Sequence, residues 1–170
     1  MATLRLGTIS LMLTIILWGT LLGGIAYSHL VYFPPYLSAL PDSAVVVTGP
    51  YGLHEARFWT TIHPLLILSF IATLALNWRL KSRRRLILIS FVVYVLVIVI
   101  SILYFIPELM AFERSASSNV PPAEWLARGQ RWQRLSWIRG AVMYAWILPL
   151  LLALTKPDSV PRETVTASAS

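Results

Sequence analysis

Histidine is the side chain best suited to proton transfer near neutral pH, and it occurs only three times in this chain. His29 and His63 each lie within a long apolar stretch, and Pro64 directly follows His63. A proline inside a helix removes one hydrogen bond and displaces the carbonyl four residues before it. We therefore expect each of these two histidines to lie at a polar irregularity of an apolar helix.

Other polar side chains reach a similar depth. A helix rises about 1.5 Å per residue. His63 and Arg139 therefore each lie roughly 7–9 Å deeper along the helix than the charged residue at which their apolar stretch begins. Glu108 ends another stretch, and Tyr104 lies one turn below it. Ionisable groups at such a depth normally face the interior of a bundle and have a partner there. The expected partners of Arg139 are Glu108, Glu55 and Glu113.

This cluster predicts a polar pocket with acid–base chemistry that needs no cofactor. His63 would remove a proton from an acidic phenol or carbon acid, and Arg139 would stabilise the anion that forms. The candidate catalytic residues are His63, Arg139, Glu108 and His29. The candidate substrate-binding residues are Tyr104, Glu55, Trp59 and Trp137.

Two cofactor-dependent alternatives use the same residues. His29 and His63 could be the axial ligands of a haem. His29, His63 and Glu108 also have the ligand types of a non-haem iron or copper site, although the Glu-x-x-His pair typical of di-iron bundles is missing. The chain has no cysteine, which excludes thiolate ligands, disulfides and thiol catalysis.

Composition places these residues in a membrane. Hydrophobic residues make up 57% of the chain and charged residues 12%, whereas soluble domains average about 25% charged. Four apolar stretches approach the roughly 20 residues that cross a bilayer. They are 6–32, 58–77, 86–106 and 137–154. The sequence therefore predicts an all-α, four-helix membrane bundle whose inner halves are packed from Leu, Ile, Val and Ala.

The distribution of basic residues predicts the orientation. The short loop 77–85 holds five Lys and Arg residues, and such loops lie on the cytoplasmic side. Both termini are then cytoplasmic, and two external loops join spans one to two and three to four. The second of these contains an interfacial helix that begins near Pro121-Pro122, with Glu124 in its first turn, and leads into the last span. The small, polar tail 157–170 is predicted to be disordered.

These features also limit the kinds of binding partner that the protein can have. The net charge of +7 comes from residues that flank spans and do not line one face, which argues against nucleic acid. The predicted surroundings are the lipid bilayer of the cell (inner) membrane. A small apolar or aromatic ligand fits the pocket. The alternative function is a non-catalytic subunit, whose outer helix and loops dock other membrane subunits or a second copy of the chain.

Three segments resemble a family of small four-span bacterial membrane proteins grouped with the anthrone oxygenases. They are RFWTTIHP at 57–64, YFIPEL at 104–109 and ARGQRWQRLSWIRG at 127–140. That family opens its last span with W-x-x-L-N/H/S-x-x-R, read here as Trp132, Leu135, Ser136 and Arg139, and Asn or His is common where this chain has Ser136. The resemblance implies an oxygenase that converts an anthrone to an anthraquinone with dioxygen and without a cofactor.

Overall fold

The computed structural model describes residues 2–157, with side chains from Leu6 onwards. Helix makes up 83% of the described residues 2–157, and no strand occurs among them, which confirms the predicted all-α fold. Apart from Pro157, the tail predicted to be disordered lies outside the described residues.

The helices follow one another with short connections. They are α1 (Ala2–Tyr27), π1 (Ser28–Tyr32), α2 (Phe33–Ser38), α3 (Ala56–Leu76), α4 (Lys81–Ile100), π2 (Ser101–Phe105), α5 (Ile106–Glu113), α6 (Pro122–Ala145) and α7 (Leu148–Leu154). Two 3₁₀ turns, Asp42–Val46 and Ser115–Ser117, lie in the loops. We keep the name outer end for the end of the bundle that carries these two turns.

Four continuous helical segments are long and apolar enough to cross a membrane. They are Leu6–Ser38, Ala56–Leu76, Lys81–Glu113 and Pro122–Leu154. The most apolar 18-residue window of the third has a mean hydropathy of 3.3, yet only 17% of that window is buried within the chain. Since so much apolar surface needs a non-aqueous environment, the protein is a multi-pass membrane protein.

Two helices continue past the ends that the sequence predicts. The first and third segments run to Ser38 and Glu113, past the predicted ends at residues 32 and 106, and each passes a proline, Pro34 or Pro107. In both cases a π-helix precedes the proline, and its widened turn re-pairs the backbone. Phe33 N–H donates to the Ser28 carbonyl and Ile106 N–H donates to the Ser101 carbonyl. The π-turn thus lets a helix pass a residue that cannot donate.

The predicted interfacial helix and the last span form one element. α6 begins at Pro122, with Glu124 in its first turn as predicted, and runs without a break to Ala145. The chain resumes as α7 beyond Trp146 and Ile147, and Pro149 lies in the first turn of α7. Residues 122–136 therefore extend the fourth helix beyond the apolar stretch as one rigid rod.

Two hydrophobic clusters hold the bundle together. The inner cluster surrounds Trp18, whose indole N–H donates to the Met143 carbonyl at 3.1 Å. Its large buried partners include Phe70 and Tyr94, at ring distances of 5.6 and 5.5 Å from Trp18. The outer cluster packs α2 and α5 against the first half of α6. Its members are Tyr32, Phe33, Tyr36, Leu37, Leu40, Val47, Phe105, Phe112, Trp125 and Trp132.

Hydroxyl groups join the inner half of α1 to that of α3, within packing that was expected to come mainly from Leu, Ile, Val and Ala. Thr14 Oγ1 donates to the Ser10 carbonyl at 3.0 Å and therefore accepts from Ser69 at 2.6 Å and from Thr73 at 2.8 Å. Thr73 in turn accepts from the Ser10 hydroxyl at 2.6 Å. Each hydroxyl has a partner, as a polar group at bilayer depth requires. We call these four residues, Ser10, Thr14, Ser69 and Thr73, the hydroxyl ladder.

The predicted orientation can be tested by accessibility, because the chain has no cysteine of its own. Tyr51 is 96% exposed between α2 and α3, and Ser82 is exposed at the start of α4. In intact cells, a membrane-impermeant maleimide should label Tyr51→Cys and should reach Ser82→Cys only after permeabilisation. The reverse pattern would overturn the predicted topology.

Loss of the hydroxyl ladder should weaken the bundle. Thr73→Val keeps the shape of the side chain but removes two buried hydrogen bonds, at a cost of about 1–2 kcal/mol in unfolding free energy. Thr20→Val is the matched control, because Thr20 is exposed and bonds only within its own helix. Reversible unfolding in mixed micelles measures both variants. Equal stabilities would show that the ladder does not hold α1 to α3.

Candidate functional site

His29 is part of a directional chain of hydrogen bonds. It lies on π1 with 2% of its surface exposed, its Nδ1 atom is 2.8 Å from the Ile25 carbonyl and its Nε2 atom is 3.0 Å from Ser136 Oγ. A carbonyl only accepts, so Nδ1 carries the hydrogen. In the neutral ring, Nε2 then accepts from the Ser136 hydroxyl.

Arg139 is held by neutral groups. Its Nη2 atom donates to Ser136 Oγ at 2.9 Å and its Nη1 atom donates to Ser101 Oγ at 3.0 Å. The Ser101 hydroxyl itself donates a hydrogen bond to the Val97 carbonyl at 2.7 Å. The guanidinium carbon lies 4.1 Å from the centre of the Phe105 ring, a cation–π contact. Within residues 6–157, no carboxylate pairs with Arg139.

The two π-turns therefore meet across α6. π1 supplies His29, π2 supplies Ser101, and both are joined through Ser136 and Arg139 on α6. π-turns inside α-helices are frequent at functional sites. The sequence carried a signal for them that was missed, since each turn ends two residues before a proline within a continuous apolar helix. Ser101 and Ser136 accordingly have a larger part in the site than sequence reasoning gave them.

His63 forms a second polar group. Its Nδ1 atom is 2.7 Å from the hydroxyl of Tyr94, which is fully buried, and its ring stacks on Trp59 at 5.8 Å. Tyr94 has no other acceptor among the described residues, so it donates to Nδ1 and places the imidazole hydrogen on Nε2. Arg139 lies within electrostatic range of both His29 and His63. The free lone pair that a general base needs is thus already occupied in His63.

Glu55 links these groups at the outer end. Its two carboxyl oxygens accept from Ser28 on π1 at 2.6 Å and from the Trp59 indole at 3.3 Å. Burial raises the pKa of the Glu55 carboxyl, and the hydrogen bonds from Ser28 and Trp59 oppose that shift only in part. Glu55 therefore fixes the position of Trp59, the residue on which His63 stacks.

Glu108 does not join this layer, so its predicted pairing with Arg139 is wrong. It forms an ion pair with Arg128 instead, and Arg128 Nε is 3.4 Å from Glu108 Oε1. The reason is helix register. α6 runs antiparallel to the third segment, and Glu108 lies about 10 Å further along its helix than Ser101, which is level with Arg139. Because the helix continues past Pro107, it carries Glu108 away from the histidines.

The other predicted residues are divided between the two groups. Trp137 lies 4.7 Å from the His29 ring, and Trp59 flanks His63. Tyr104 packs against the outer cluster, and its hydroxyl is buried without a partner in the part of the chain that the structure describes. Trp59 and Trp137 thus each cover one histidine, whereas Tyr104 contacts neither.

The predicted metal and haem ligands are engaged elsewhere. No group of three or more His, Asp or Glu side chains in the described range could hold a metal ion. Both ring nitrogens of His29 are hydrogen-bonded, Nδ1 of His63 is bonded to Tyr94, and Glu108 is paired with Arg128. His29 and Glu108 could act as ligands only if those bonds broke, whereas Nε2 of His63 has no hydrogen-bond partner among the described residues.

Two grooves lie near the polar layer, and neither is lined by His29, His63 or Arg139. One, of about 400 Å³, runs between α1 and α6 and is almost wholly apolar. It is lined by Ile25, Ala26, Leu30, Trp137, Gly140, Ala141 and Tyr144. The other, of about 630 Å³, lies at the outer surface beside Glu108, Arg128, Arg131 and Arg134. Where the sequence predicts a polar pocket, the polar side chains form a layer and are hydrogen-bonded to one another.

Comparison with known protein families, with curated proteins and with solved structures gives no match. The function of this protein has to be inferred from the chemistry of its polar side chains.

Stability should depend on pH through Glu55. A raised pKa in the folded state means that Glu55 contributes its full stability below the ordinary glutamate pKa and loses it as pH rises through the raised value. Thermal unfolding in detergent between about pH 4 and pH 7 should show this decline. Glu55→Gln, which still accepts from Ser28, should show a flatter profile.

The exposed Glu124 offers the control for this titration. Glu124→Gln should keep the profile of the unmodified protein, histidine titrations included. If Glu55→Gln keeps it as well, burial does not destabilise the charged carboxylate.

Proposed function

We propose that this multi-pass membrane protein binds a small aromatic molecule through an acidic oxygen that Arg139 holds in the outer polar layer. The support is the state of Arg139 itself. A guanidinium at bilayer depth is costly and normally has an anionic partner, yet its described partners are two serine hydroxyls and an aromatic ring. A phenolate or enolate would supply the missing charge.

The chemistry that fits this ligand is oxygenase-like. A base removes a proton from the carbon acid, Arg139 stabilises the enolate, and dioxygen reacts with the carbanion. His63 was the expected base, but its lone pair accepts from Tyr94. The lone pair of His29 also accepts a hydrogen bond, but its donor, Ser136, contacts Arg139 as well, so His29 fits this role better. A proton can pass from the substrate through the Ser136 hydroxyl to His29.

A second candidate function is a non-catalytic subunit that docks a partner through the outer half of α6. Arg131 and Arg134 are exposed there beside the outer groove. Trp125 and Trp132, by contrast, are 4% and 1% exposed and pack within the chain, so they are not part of a docking face. This function predicts that changes at Arg131 and Arg134 cost more than changes in the polar layer.

Arg139→Gln should abolish ligand binding or turnover. An anthrone is the probe, with oxygen consumption and anthraquinone absorbance as readouts for purified protein. Loss of the cation should lower the rate about 10²-fold or more. Arg128→Gln is the matched control, because Arg128 lies on the same helix but pairs with Glu108 outside the layer.

The thermal shift that the anthraquinone product causes separates binding from turnover. A shift that needs Arg139, without turnover, would keep the binding site and exclude the oxygenase. Equal behaviour of the two variants would overturn the proposal and favour the docking subunit.

A further inference from the structure

We propose that Ser136 and His29 form a nucleophile–base pair that transfers the acyl group of a lipid ester reached from the bilayer. Three distances support this. Ser136 Oγ lies 3.0 Å from His29 Nε2, His29 Nδ1 lies 2.8 Å from the Ile25 carbonyl, and Ser136 Oγ lies 2.9 Å from Arg139 Nη2. An activated serine needs a base within hydrogen-bond reach and a third group that orients the base. Here a backbone carbonyl orients the base.

The direction of the Ser136 hydrogen bond distinguishes this residue from other hydroxyls of the bundle. A serine or threonine in a membrane helix commonly donates to a carbonyl of the preceding turn. Thr14, Thr20, Thr60, Thr61 and Ser101 all do so. Ser136 instead contacts only His29 and Arg139 through its side chain among the described residues. Its hydrogen therefore points at the basic lone pair, which is the ground state that general-base catalysis requires.

Arg139 is placed for the charge that develops. When a serine oxygen attacks an ester carbonyl, negative charge appears on the carbonyl oxygen, within bonding distance of donors around the nucleophile. Arg139 already donates to the attacking oxygen and has further N–H groups that can reach the new oxyanion. No carboxylate among residues 6–157 pairs with Arg139, so its charge is available for this step.

The apolar groove between α1 and α6 supplies the route and the substrate class. Two of its lining residues belong to the site, because the carbonyl of Ile25 holds His29 and the ring of Trp137 lies 4.7 Å from that of His29. The groove lies within two membrane-spanning segments and has almost no polar lining, so an acyl chain fits it. Trp137 lines this groove, is 45% exposed and directly follows the buried Ser136 in the chain, so entry of an ester to Ser136 requires the Trp137 side chain to move.

The reaction balances with water as the second substrate. Ser136 Oγ forms a bond to the ester carbonyl carbon while its proton moves to His29 Nε2. The bond from the carbonyl carbon to the alkoxy oxygen then breaks, and the leaving alcohol takes the proton from His29. Water attacks the acyl-serine, gives its proton to His29, and releases a fatty acid as Ser136 recovers that proton. The inference shares His29, Ser136 and Arg139 with the proposed function but does not need an anionic aromatic ligand.

An alkyl fluorophosphonate tests the pair, because it phosphonylates only activated serines. The full chain in detergent and in lipid nanodiscs should form one adduct, which peptide mass spectrometry places on Ser136. Ser136→Ala should abolish the adduct, and His29→Gln should slow its formation at least about tenfold. Ser90→Ala is the matched control, since Ser90 is also fully buried but donates to the Trp146 carbonyl.

A second variant keeps the test decisive if Ser136→Ala does not fold. Ser136→Cys would carry the only thiol of the chain, and His29 should speed its alkylation at neutral pH relative to the Ser136→Cys, His29→Gln double variant. No adduct on the folded protein, or an adduct rate that does not depend on His29, would overturn the inference. Either result leaves the anthrone measurements on Arg139 unaffected, so the two proposals fail separately.

Discussion

A guanidinium group at bilayer depth, held only by neutral dipoles and an aromatic face, is the constraint on which the outer half of this protein depends. The hydrocarbon of a bilayer offers no water to the partly buried Arg139, so hydrogen-bond acceptors have to come from its own helix and from the helix beside it. Ser101 and Ser136 accept hydrogen bonds from Arg139. Ser101 in turn donates to the Val97 carbonyl, and Ser136 donates to His29. One buried charge thereby sets the orientation of every hydroxyl around it.

Irregular helices make that arrangement possible. A regular helix uses all its carbonyls internally, whereas a π-turn shifts the pairing by one residue and changes the face on which later side chains lie. π1 and π2 do this at corresponding places before Pro34 and Pro107, and α6 runs past both without a break. The antiparallel register then joins Ser101 to Arg139, Phe105 to Trp132 and Glu108 to Arg128, at successive levels.

The same contacts explain why the polar residues do not enclose an empty chamber. His29 and His63 each have a defined tautomer and a covering ring, and Glu55 connects Ser28 of π1 to Trp59. The hydrogen-bonded groups of such a layer are preorganised, which is the property that transition-state stabilisation requires. Both proposed reactions use this layer in the same way. His29 accepts the proton, Arg139 is the cation, and Ser136 lies between His29 and Arg139.

The sequence by itself determined the fold class, the four membrane-spanning helices, the start of α6 and the polar character of the outer end, because these depend on composition, apolar length and helix-start residues. It also placed His29, His63 and Arg139 at a common depth, since the rise per residue is fixed. Only the tertiary structure decided their partners. Glu108 was expected beside Arg139, but a helix that continues through Pro107 carries it to Arg128, and Ser136 takes the place between His29 and Arg139. Hydrogen-bond partners across helices depend on register and rotation about each axis, and a π-turn alters both without leaving a signal in hydropathy.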